Sequence, residues 1–127
     1  MLRTIVALIA GFAIMAFSVL IATIAIALAM GIQRGTLPTS FLIVMVVVSA
    51  LASGLGGYAT ASLAQNRPMV HAGILATMIF VQHVYTIIFP VEGQETWHVW
   101  SLAITGPVLA IAGGKVRELT ARKGAAT

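Results

Sequence analysis

Apolar residues run along this chain in four long uncharged stretches, separated by short breaks that hold Gly, Pro and polar residues. Each stretch is long enough for a helix to cross the roughly 30 Å hydrocarbon core of a bilayer at about 1.5 Å per residue. The pattern predicts an all-α polytopic membrane protein: a bundle of four transmembrane helices made of two helical hairpins. The spans fall at about Thr4 to Met30, Phe41 to Ala64, Met69 to Phe89 and Trp97 to Gly114, followed by a basic, polar and frayed tail from Lys115 to Thr127. Gly31, Gly35 and Pro38 break the first helix before Thr39 or Ser40 caps the second. The turn Gln65-Asn-Arg-Pro68 places Pro where a helix begins, and so tight a link makes spans two and three antiparallel neighbours.

Composition hardens this reading. Of 127 residues 60% are hydrophobic and 8% charged, against roughly 45–50% and 25% in soluble domains, so a water-soluble globule is excluded and the first partner is the lipid bilayer. The absence of cysteine removes disulfides, thiolate metal sites and thiol redox chemistry. A net charge of +4 would suggest nucleic acid in a soluble domain, but four of the seven basic residues follow residue 114. They read as juxtamembrane anchors, and no nucleic-acid partner is expected.

Charge also sets orientation. Arg3, Arg67, Lys115, Arg117, Arg122 and Lys123 flank one side of the predicted spans and only Arg34 the other, which by the positive-inside rule puts both termini in the cytoplasm. Glu92 and Glu95 fall outside, and Trp97 and Trp100 sit at the outer interface. Met1-Leu-Arg with Ala27-Leu-Ala29 has the outline of a signal peptide. The apolar run of about 26 residues is too long for a signal core of 7–15, so an uncleaved anchor is expected.

Helices in lipid associate through small residues and interhelical hydrogen bonds. Ser49, Ser53, Gly57 and Ala61 recur every four residues in span two, beside a row of Ala52, Gly56, Thr60 and Ala64. Span one offers Ala7, Gly11, Ser18, Ala22, Ala25 and Ala29, and span four Gly106, Ala110 and Gly114, with Pro107 expected to kink it near Ala103. Spans one and two are expected to pack closely, and the surface from Gly54 to Ala61 is a candidate homodimer face or a seat for other membrane-protein subunits. Gly56-Gly57 and Gly113-Gly114, with Ala10-Gly11 and Ala72-Gly73, hint at an internal repeat of about 57 residues, two hairpins in one orientation.

Span three carries the informative polar residues. At 100° per residue His71, Leu75, Met78, Gln82, His83, Tyr85 and Thr86 share one arc, and polar groups at membrane depth must face protein or water. Gln82, His83, Tyr85 and Thr86 are candidate walls of a polar cavity in the outer leaflet, completed by Ser101, Thr105 and His98 of span four. The plainer reading is that Gln82 and His83 bond neighbouring helices, worth about 0.6–2 kcal/mol each. Glu95-Thr-Trp-His98 has a metal-ligand spacing, but no other span supplies a Glu, so no metal and no cofactor are expected. The chain has no Ser-His-Asp set, no His-Glu-x-x-His and no paired intramembrane carboxylates, hence no enzyme is predicted.

Gly54-Leu-Gly-Gly-Tyr58, Arg67-Pro68, His71-Ala72 and Gly113-Gly114 before Arg117 resemble a group of small uncharacterised bacterial inner-membrane proteins with four helices. The resemblance covers span two to the tail and implies topology and a bacterial inner membrane; it brings no activity. The membrane Glu that small multidrug exporters need in span one is absent. Two functions are therefore carried forward: a packing or assembly subunit, alone or as a homo-oligomer, and a small-solute or proton-coupled transporter or channel using the cavity around Gln82 and His83.

Overall fold

The computed structural model describes residues 2–32, 37–64, 67–91 and 93–125. These hold four α-helices and, among the described residues, no strand: α1 Leu2–Ala29, α2 Thr39–Ala64, α3 Pro68–Ile88 and α4 Thr96–Ala125. All four are long and apolar enough to cross a membrane, so the chain is a multi-pass membrane protein. Arg34 and Glu92, on which part of the charge count rests, lie outside the described residues, as do Gln65 and Asn66 of the turn before α3. Arg67 closes that turn in the left-handed conformation at φ 51, with Pro68 following as the first helical residue, where its missing N–H is no loss.

The helix directions alternate. Gly11 of α1 meets Gly56 and Thr60 of α2, while Thr23 lies beside Met45, so α1 and α2 run antiparallel. Gly106 meets Ile79 and Gly114 meets Ala72, so α3 and α4 do the same. The most extensive packing joins α2 to α4, which run in parallel, whereas α2 meets α3 over a much thinner contact and α1 barely touches α3. The expected close pairing of spans two and three is therefore displaced: the short turn brings the ends of α2 and α3 together, but α4 takes the small-residue face of α2.

Close approach explains that choice. A Cβ on Gly57 would overlap the Ala110 carbonyl oxygen, and one on Gly113 would overlap that of Gly54; only glycine lets these backbones touch. The two contacts are reciprocal, because a shift of 56 positions carries Gly54 onto Ala110 and Gly57 onto Gly113. Ser53 and Ala61 are also buried, and Gly54, Gly56, Gly57 and Ala61 all lie against α1 or α4 of the same chain. The buried small residues of this surface are thus packed internally, while Leu55 and Tyr58 between them stay exposed.

Two further expectations change. α4 does not fray after Gly114 but stays helical to Ala125, where Glu118 bridges Lys115 at 2.8 Å and Arg122 at 2.6 Å along one face. Pro107 sits inside this continuous helix. On α3 the buried stripe is Ala72, Leu75, Ala76 and Ile79; of the predicted arc only Leu75 belongs to it, while Gln82 and Tyr85 are exposed. The face of α1 carrying Ile9, Phe17, Ile21 and Leu28 is exposed and apolar, as a lipid-facing helix requires.

At one end of the bundle His71 ties α3 to α1. Its Nδ1 lies 3.1 Å from the Arg67 carbonyl oxygen and its Nε2 3.2 Å from the Thr4 hydroxyl. A carbonyl only accepts, so the neutral ring donates from Nδ1 and accepts the Thr4 proton at Nε2. Thr4→Val is expected to lower stability by about 1 kcal/mol, read as an earlier midpoint in a denaturant titration of the detergent-solubilised protein; an unchanged midpoint would discount the bond.

Candidate functional site

Because α1 and α3 scarcely touch, a space remains between them. It forms a cavity of about 370 Å³ walled by Phe12, Met15, Val19 and Leu20 of α1 and Leu102 of α4. Its polar lining comes from three helices: Thr23, Ser49 and Ser53, with Gln82 and His83. A shallow apolar groove of about 550 Å³ adjoins it, lined by Ile74, Thr77, Met78 and Val81, and the two share Phe12 and Gln82. The cavity thus opens sideways, between helices, rather than along the bundle axis.

Two hydroxyls that line this space bond back to their own helices, with the sulfurs of Met45 and Met15 also in reach of Thr23 and Ser53. Thr23 donates its hydroxyl proton to the Val19 carbonyl at 2.7 Å and Ser53 donates to the Ser49 carbonyl at 2.8 Å. Each proton is thereby committed, and the oxygens keep lone pairs for a visitor. The Nδ1 of His83 lies 2.8 Å from the Ile79 carbonyl oxygen, so in the neutral ring Nδ1 carries the proton and Nε2 presents a lone pair. Gln82 is exposed and lines both the cavity and the groove. Among the described residues, no charged side chain lines the cavity or the groove.

His98 stands near this site. It is only 7% exposed, and neither ring nitrogen has a hydrogen-bond partner. It precedes Leu102, a cavity wall, by one helical turn, and it lies within electrostatic range of His83. The Trp97 ring meets its edge at 5.8 Å.

The sequence-derived candidates separate. Gln82 and His83 share the cavity, but their companions are hydroxyls of α1 and α2. Tyr85 faces outward, 63% exposed, with its ring 4.8 Å from Phe89. Thr86 donates to the Gln82 carbonyl and lines a separate small cleft near Pro90 and Gln94. Ser101 and Thr105 donate to the Trp97 and Ser101 carbonyls of their own helix and do not line the cavity. Ser49 and Ser53 stood out only as small residues, and Thr23 drew no notice; the signal was a hydroxyl deep within an otherwise aliphatic span. The carboxylate of Glu95 accepts from the Trp97 indole at 3.0 Å, while His98 is buried, and the described residues form no group of three or more His, Asp or Glu able to hold a metal.

Fold and site together define a four-helix multi-pass membrane protein with a laterally open, uncharged, hydroxyl-lined cavity. No family model, curated protein or solved structure matches the chain.

Proposed function

We propose that the protein is a non-enzymatic carrier or receptor for a small amphipathic solute, acting in a bacterial inner membrane with both termini cytoplasmic. One observation carries this reading: polar groups of three helices, Thr23, Ser49, Ser53, Gln82 and His83, converge on a cavity between α1 and α3, which scarcely touch, where a molecule dissolved in lipid would arrive. The alternative of a packing or assembly subunit rests on the surface from Gly54 to Ala61, whose small residues pack against α1 and α4 of the same chain. Orientation draws support from the packing, which gathers Thr4, His71 and Gly114 at the same end of the bundle as most of the basic residues.

Native mass spectrometry of the protein extracted in mild detergent tests the binding reading. The expected result is a co-purifying small molecule that disappears in Ser49→Phe, a substitution that fills the cavity. A wild-type protein that is empty under all mild conditions, with solute uptake into proteoliposomes equal to that of Ser49→Phe, defeats it. Orientation is open to single-cysteine labelling, since the chain has no native thiol. In intact cells Gln94→Cys should react with a membrane-impermeant maleimide and Ala121→Cys only after permeabilisation; the reverse pattern inverts the topology.

A further inference from the structure

The chemistry of the cavity narrows its occupant, and the argument rests on the binding reading above. The groove along Ile74, Met78 and Val81 is apolar, and it runs into the polar cavity at Phe12 and Gln82. A ligand filling both has an apolar tail and a compact polar head. Register fixes which way it lies. Ile79 is level with Gly106 and Ser53, so the polar cavity extends from there toward Thr23 and Met45, the end of the bundle opposite His71 and Gly114. The groove starts beside the cavity at Val81 and Gln82 and runs back across that level to Ile74, in the middle of the spans. The head therefore points toward the bilayer surface opposite the basic end, and the tail toward the bilayer centre.

The head can also donate hydrogen bonds. Thr23 and Ser53 have committed their protons to backbone carbonyls, and His83 offers a lone pair at Nε2. Among the described residues that line the cavity, a phosphate or carboxylate finds no Lys or Arg, and an ammonium finds no Asp or Glu; an uncompensated ion at this depth costs several kcal/mol. His83 lies five residues before the end of α3, about 8 Å along the helix, a depth an uncharged head can reach without that penalty.

We infer that the cavity and groove together bind a neutral lipid alcohol from the outer leaflet, its hydroxyl donating to one of the acceptors that line the cavity, on His83, Ser53 or Thr23, and its chain lying along α3. The hydroxyl oxygen remains free to accept, and Gln82 is the donor in the lining to serve it.

Two photoactivatable lipids with identical acyl chains test this: a diacylglycerol and the corresponding phosphatidic acid, which differ in a hydroxyl replaced by a phosphate. Each is offered to the purified full chain in phosphatidylcholine nanodiscs, and crosslinked peptides are mapped. The diacylglycerol should label the segments around Phe12 to Thr23 and Met78 to His83 and be displaced by excess unlabelled diacylglycerol. Ser49→Leu and Gln82→Leu should each cut that labelling at least tenfold, and Phe80→Leu, on the exposed face of α3, should not. Gln82 is exposed, so its variant keeps the fold and the test stands even if Ser49→Leu is unstable. Equal labelling by phosphatidic acid, or labelling indifferent to both substitutions, overturns the assignment. A phenol-headed probe that labels these segments when the alcohol does not removes the ligand class but leaves the cavity reading; no labelling by any probe removes both.

Discussion

Gly57→Leu is expected to abolish the folded bundle. A Cβ at this position already overlaps the Ala110 carbonyl oxygen, with the Ala110 carbonyl carbon and Cα also within 3 Å. What it meets is helix backbone, which cannot turn aside as a flexible side chain does. Overpacking a well-filled interior costs about 1–3 kcal/mol and sometimes more, so Gly57→Ala should lower the unfolding midpoint clearly. The larger Leu must drive α2 and α4 apart along their whole contact, the most extensive in the molecule. The measurement is monodispersity and helix content after extraction: wild type as a sharp peak, Gly57→Leu as aggregate. A Gly57→Leu protein that elutes and melts like wild type would falsify the packing described here.

Two internal comparisons make the result specific. Gly73 has nothing within 4 Å of an added Cβ, so Gly73→Ala should be neutral or stabilising by up to about 1 kcal/mol through reduced backbone freedom. Gly113→Ala strikes the reciprocal contact on Gly54 and should resemble Gly57→Ala. The double variant should cost less than the sum, because one separation of α2 from α4 relieves both clashes, and groups sharing a contact do not add.

The pairing of α2 with α4 explains how much of this molecule was legible in its sequence. Span number and position followed from charge-free length, a property of each segment alone, and the boundaries of α1 to α3 fell within a few residues. The helical tail after Gly114 was missed because a Gly-Gly pair reads as a stop in water. Here both glycines are packing points, Gly113 on Gly54 and Gly114 on Ala72. Which spans meet depended on matching two small-residue surfaces across the fold, which no single segment records. The same blindness affected the cavity. Gln82 and His83 were visible as polar residues in span three, but Ser49, Ser53 and Thr23 looked like packing residues or went unnoticed, and nothing in the periodicity of α4 showed that Ser101 and Thr105 spend their protons on their own helix.

His98→Leu is expected to make the resting protein more stable. A neutral imidazole carries one donor and one acceptor, and at His98 both nitrogens are buried without partners. Leaving such groups unmet costs about 1–3 kcal/mol, a cost that leucine does not carry, so the melting temperature of the detergent-solubilised variant should rise by several degrees. A fall instead would mean that the ring is satisfied by a molecule held in the site even at rest. The gain should come with a loss. Residues that violate a local packing rule without compensation tend to mark function, and His98 stands one helical turn from Leu102, which lines the cavity with His83. If His98 serves the same visitor, a saturating lipid alcohol that stabilises wild type should stabilise His98→Leu far less, so that the two melting curves converge. A ligand-induced shift of full size in the variant would confine His98 to a packing role and leave its two unmet nitrogens as a cost without a function.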